Sequence, residues 1–105
     1  GLMSHPQYDL AQKQMSGPGG LMSFVVQGGV SGAAAVMDSF KLICHAATFG
    51  TSRTICMHPP TITHEHMTPE ERAAVGIDDG LIRLSVGLEN VADLIADLDQ
   101  ALAKI

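Results

Sequence analysis

The stretch that most constrains the fold is Gly80-Leu81-Ile82-Arg83-Leu84-Ser85-Val86-Gly87, which runs through Leu88-Glu89-Asn90 into a long amphipathic segment. Apolar and β-branched residues dominate it and glycines bound it, so it reads as a short, packed strand. Alternation places Ile82, Leu84 and Val86 on one face and Leu81, Arg83 and Ser85 on the other. A guanidinium in the middle of such a strand is costly to bury unless water or an anion meets it. The residues alone leave two readings open. Arg83 is either an edge-strand side chain facing solvent, or a fork that grips a carboxylate through two parallel hydrogen bonds.

The residues C-terminal to this strand fix its packing partner. Asn90 is an N-cap residue, and Asp93 in the first turn suits the helix dipole. Val91, Leu94, Ile95, Leu98, Leu102 and Ile105 make one apolar stripe at helical spacing, with Asp93, Asp97, Asp99 and Gln100 largely off it. The spacing predicts a C-terminal helix packed on the sheet.

Upstream, Ser4 and Pro6 predict the start of a first helix, with Tyr8, Ala11 and Met15 on one side, broken by Gly17-Pro18-Gly19-Gly20. Leu21–Val26 predicts a strand covered on part of both faces. A second helix is predicted from about Ser31, with Val36, Met37, Phe40 and Ile43 along one stripe. Ala46–Gly50 and Thr54–His58 predict two short extended segments around a turn, and Pro59-Pro60 an extended path. Thr68-Pro69-Glu70-Glu71 predicts a short capped helix ending near Gly76. The order is αβαββαβα. The predicted fold class is a two-layer α/β arrangement of α+β character: a small, mostly antiparallel sheet with helices packed on one face.

Composition narrows the function. The 105 residues suffice for one small domain. Net charge is −5 and Lys and Arg nowhere cluster, so neither nucleic acid nor an anionic membrane is an expected partner. No apolar run approaches the ~20 residues of a membrane span. Cys44 and Cys56 form no CxxC motif and read as reduced thiols, the state expected of a cytoplasmic protein.

The motif Gly80–Asn90, with Val91-Ala-Asp-Leu-Ile-Ala-Asp-Leu98 after it, resembles the C-terminal signature of the pyridoxal-phosphate enzymes of cysteine and methionine metabolism. These are the cystathionine synthases and lyases, methionine γ-lyase and the homoserine-ester sulfhydrylases. The resemblance extends upstream through Gly1–Gln7, Ser16–Gly20 with Ser23-Phe24, His58–His64 and Pro69–Arg72, and so covers the whole chain. It implies the C-terminal domain of a fold-type I enzyme, spanning residues 1–105, with a large cofactor-binding domain outside them. That N-terminal domain would be this chain's partner, in a homotetramer acting on an amino-acid substrate. Pyridoxal 5'-phosphate would be held by the large domain, because none of Lys13, Lys41 and Lys104 stands in the family's Ser-Xaa-Thr-Lys setting. This part alone is then expected to bind no cofactor and to turn nothing over.

The resemblance assigns substrate-binding roles to two residues. Arg83 stands where the family's arginine holds the substrate α-carboxylate. Thr48 stands where the family often has serine, beside the same carboxylate. Ala47 occupies a specificity position, often glutamate in the cystathionine-handling members. An apolar residue there leaves the distal ammonium of cystathionine without a partner, which favours methionine γ-lyase or homoserine-ester sulfhydrylase chemistry. The implied reaction is γ-elimination or γ-replacement.

Two other classes compete. A metal-binding module would draw on His58, His64, His66, Cys44, Cys56 and Glu65, but their spacing fits no zinc pattern. A stand-alone ligand-binding α/β module would need no second domain, and would be monodisperse and stable by itself.

Overall fold

The computed structural model describes all residues from Gly1 to Ile105. The helices are α1 (Tyr8–Gln14), α2 (Gly29–Ser39), α3 (Pro69–Ala74) and α4 (Val91–Leu102). The strands are β1 (Leu21–Val25), β2 (Cys44–His45), β3 (Ile55–Met57) and β4 (Leu81–Ser85), with a 3-10 turn at Pro59–Thr61. They form one sheet in the order β1-β4-β3-β2. β4 runs antiparallel to both of its neighbours, and only β2 pairs parallel to β3. The predicted fold class and element order hold.

Arg83 therefore sits on an interior strand, not an edge. Its register partners are Ser23 on β1 and Met57 on β3. Ile82 and Leu84 on the opposite face are 0 % and 2 % exposed. They join Val26, Ala33, Val36, Met37, Ile43, Cys56, Leu94 and Ala101 in the core. α2 and α4 pack on this face and on each other. Full burial of one such aliphatic side chain contributes roughly 1.5–3 kcal/mol, so this layer is what holds the Arg83 strand in place.

Several local expectations are corrected. α1 begins at Tyr8, not at Ser4; Gln7 takes the cap position without a side-chain bond, and the His5 ring accepts the Gln7 amide instead. α1 buries none of its residues. β1 is an edge strand whose Leu21, Met22 and Val25 are exposed; only Phe24 is half-buried. α2 starts at Gly29, ahead of Ser31. Ala46–Gly50 is an irregular segment, because β2 spans only two residues. Pro59 and Pro60 open a buried 3-10 turn where an extended path was predicted; at those positions proline gives up an N–H that would have had no helical partner. The buried face of α4 is Leu94, Asp97 and Ala101, rotated from the apolar stripe, so Val91 and Ile95 are exposed.

The capping signals hold in detail. Thr68 and Glu71 exchange both bonds of a capping box, with Pro69 just inside the helix. The Asn90 side chain accepts the Ala92 amide at the start of α4.

Candidate functional site

A strand and a loop meet at Arg83, and a second turn holds that loop. The sheet supplies a rigid base, with Arg83 and Ser85 projecting from β4 away from the helices. The segment from Ala46 to Thr54 loops across this face, and the Gly87–Glu89 turn closes its far end.

Arg83 is half-buried. Its Nη2 donates to the Thr48 carbonyl at 2.7 Å. The guanidinium carbon lies 5.7 Å from the centroid of the exposed Phe49 ring, within cation–π range. The remaining guanidinium donors have no protein acceptor. One arm of the fork is thus oriented, and the other side is free to meet an anion. Arg83 and Thr48 are brought together, though through the Thr48 backbone. A carbonyl can orient the guanidinium but cannot itself bind a carboxylate. Ala47 precedes Thr48 on the same exposed segment.

The loop carrying Thr48 is held at its middle and at its far end. Ser85, buried beside Arg83, accepts the Gly50 amide on its hydroxyl at 3.0 Å. Gly50 has φ +73°, a left-handed conformation that favours glycine. At the far end, one Glu89 oxygen accepts the Thr54 amide and the other its hydroxyl, both at 2.7 Å. The Thr54 hydroxyl in turn accepts the Gly87 amide at 2.8 Å. Bonding to the Thr54 hydroxyl first, and to its amide second, holds the Glu89 carboxyl below its ordinary range. Leu88 donates to the Ser52 carbonyl. Gly87 is required by proximity: a Cβ there would stand 2.4–2.5 Å from the backbone of Ser52, Arg53 and Thr54.

A second anchor lies before β2. Asp97, 5 % exposed, accepts the amides of Lys41, Leu42 and Ile43 at 2.8–2.9 Å, and the Gln100 side chain at 3.0 Å. Burial pushes its carboxyl up, but the four donors together outweigh burial and leave it below the usual carboxylate range. Asp97 thereby fixes the chain entering β2. Sequence reasoning missed it, along with Thr54, Ser85 and Glu89 as a connected set, because their partners lie 33–56 residues away. Nothing in the sequence sets Asp97 apart from Asp93 and Asp99 beside the apolar stripe of α4.

The residues considered for a metal do not converge. No group of three or more His, Cys, Asp or Glu side chains is placed to hold one. Both His58 ring nitrogens are taken, by the Thr61 hydroxyl and the Asp79 carbonyl. Asp79 also pairs with Arg72 at 2.7 Å. A surface depression of about 850 Å³ lies between Val25–Gly29 and Pro69–Asp79, away from Arg83. Asp78 and Asp79 in its lining disfavour an anion there. No helix is long and apolar enough to cross a membrane.

The three lysines stand apart from Arg83. Lys13, Lys41 and Lys104 are exposed on α1, on the α2–β2 connection and beyond α4, and none lies on the strands or the 46–54 segment around Arg83.

Comparison with known proteins gives a consistent assignment. A sequence profile of the Cys/Met metabolism PLP-dependent enzymes matches residues 1–103. The chain is 48% identical over 102 residues to L-methionine gamma-lyase of Pseudomonas putida, covering 97% of this chain and 26% of that protein. It is 50% identical over 102 residues to L-methionine gamma-lyase of Porphyromonas gingivalis, with the same coverage of 97% and 26%. It is 46% identical over 106 residues to O-succinylhomoserine sulfhydrylase of Mycobacterium tuberculosis, again covering 97% and 26%. The chain thus spans about a quarter of the length of these relatives.

Proposed function

Because the chain belongs to the Cys/Met metabolism PLP-dependent enzyme family, we propose that it supplies the α-carboxylate site of an enzyme acting on a sulfur-containing or acylated homoserine-type amino acid. The observation that carries this reading is the half-oriented guanidinium: one arm of Arg83 is held by Thr48, and the other is open on the sheet face away from the helices.

The cofactor belongs to another part of the protein in this reading, since no lysine of residues 1–105 stands near Arg83. Pyridoxal phosphate, once bound, supplies an electron sink for the substrate α-carbon. The contribution of this chain is binding and orientation. Arg83 holds the carboxylate in a planar two-bond grip, which sets the rotation of the substrate about its α-carbon. Phe49 covers one side of the guanidinium and limits its solvation. Ala47 presents no charge to a distal ammonium, which favours substrates with a neutral thioether or ester arm over cystathionine. The reaction class is γ-elimination or γ-replacement. A large N-terminal domain and a homotetrameric assembly complete the proposal.

The test uses the full-length protein. Arg83→Ala raises KM for L-methionine or an acylated homoserine roughly ten- to a hundredfold, the span of losing about 1.5–3 kcal/mol of charge-assisted bonding. Arg83→Lys recovers only part of it, because lysine keeps the charge and loses the fork. An unchanged KM in Arg83→Ala removes Arg83 from the site. A preference for cystathionine over methionine overturns the role given to Ala47.

A further inference from the structure

We propose that Ser85, Thr54 and Glu89 are positioning residues for the carboxylate grip: they clamp the two ends of the Gly50–Thr54 turn, and so hold the Thr48 carbonyl where it orients Arg83. The inference rests on the carboxylate reading of Arg83 and goes beyond it, since none of the three touches the guanidinium.

The chain of contacts is continuous. Ser85 is two residues from Arg83 on the same face of β4, and its hydroxyl accepts the Gly50 amide. Gly50 is two residues past Thr48, so the Ser85 bond fixes the turn next to the carbonyl that Arg83 uses. The other end is fixed more firmly. The Thr54 side chain is fully buried, and its hydroxyl donates to Glu89 while accepting from Gly87. Glu89 also accepts the Thr54 amide. Both clamps originate in the Arg83–Glu89 stretch, so one segment carries the guanidinium and the groups that hold its orienting loop. The arrangement is preorganisation: the carbonyl is in place before an anion arrives.

A purely structural role would lower stability, or the amount of active enzyme, without discriminating between ligands. A positioning role is read in the carboxylate. The experiment uses the full-length holoenzyme and measures kcat, KM, and the inhibition constants of two ligands. One is an unreactive amino acid. The other is the matching amine that lacks the carboxylate. Thr54→Val keeps the shape and removes the hydroxyl; Thr54→Ser keeps the hydroxyl. Glu89→Gln puts an amide N–H against one of the two Thr54 donors.

The expected result is that Thr54→Val and Glu89→Gln raise KM and weaken the amino acid roughly tenfold. The kcat stays within about twofold and the amine is unaffected. Thr54→Ser restores the wild-type values, and Ser85→Ala behaves as Thr54→Val does. Unchanged amino-acid binding in Thr54→Val and Glu89→Gln, alongside weakened binding in Arg83→Ala, overturns the positioning role and leaves the carboxylate site standing. Equal weakening of amine and amino acid assigns these residues to folding alone, which also overturns it. Unchanged binding in Arg83→Ala overturns both.

Discussion

The Thr48 carbonyl accepts a hydrogen bond from the Arg83 guanidinium at 2.7 Å, across 35 residues of sequence. The same arginine faces Ser23 and Met57 in register. A charge on an interior strand is thus met by a loop on one side and left open on the other. That asymmetry leaves part of the guanidinium open to an anion, and the contacts that hold the loop have consequences of their own.

Gly87 is the point of closest approach between the Arg83 strand and the loop it serves. Gly87→Ala drives a methyl group into the backbone of Ser52–Thr54, and the expected cost of such overpacking is about 1–3 kcal/mol. Faster amide hydrogen exchange through residues 50–54, together with a higher KM, is the expected outcome. Wild-type exchange in that segment would show that the loop relaxes freely.

Asp97 makes the fold acid-sensitive. Its carboxyl lies below the ordinary range in the folded protein and near about 3.9 when unfolded. Its stabilisation is therefore full above the unfolded value and is lost as pH falls through the folded one. Asp97→Asn places an amide N–H against backbone donors and costs about 2 kcal/mol or more at neutral pH. Thermal unfolding of the two proteins from pH 7 downward should show a gap that closes below about pH 4. A gap independent of pH would mean that the charge is not what Lys41–Ile43 require.

How much of this is legible in the sequence depends on how local each signal is. The Thr68–Glu71 box and the Asn90 cap bind partners within three residues, and the structure bears both out. Alternation gives the buried Ile82 and Leu84 but not the end of the strand: Val86, expected on the same face, lies beyond β4 and is exposed, and Ser85 on the other face is buried. Asp97 is not legible, because a carboxylate beside an apolar stripe looks solvent-facing until the Lys41–Ile43 amides are seen above it. The exposure of Leu21, Val25, Val91 and Ile95 is equally hidden. Apolar patterning reports what a residue is suited to bury, not what these 105 residues bury. Arg83 lies between these cases: its strand is readable, and the role proposed for it comes only from the resemblance.

The helix bearing the capping box gives a local check. Thr68→Ala removes the acceptor for the Glu71 amide, at an expected cost of about 1 kcal/mol. Amide exchange over residues 69–76 should quicken about fivefold, with the Arg83 region unchanged. An effect spreading to residues 48–54 would couple the helix to the site, which the structure does not.

The two thiols should differ sharply. Cys56 is 1 % exposed, and burial first, then the neighbouring Cys44, push its pKa up to about 12. Cys44 is half-buried at the end of β2. In the native protein at pH 8, iodoacetamide followed by peptide mass analysis should label Cys44 ahead of Cys56. Cys56 should react only on unfolding. Equal labelling under native conditions would contradict the packing of β3 against α2 and α4.

The central claim concerns the carboxylate itself, so the most direct measurement removes that group from the ligand and the guanidinium from the protein together. Inhibition constants for an amino acid and its decarboxylated amine, in the full-length wild type and in Arg83→Ala, form a thermodynamic cycle. The wild type should prefer the amino acid by roughly ten- to a hundredfold, and Arg83→Ala should lose most of that preference. An undiminished preference in Arg83→Ala would contradict the account.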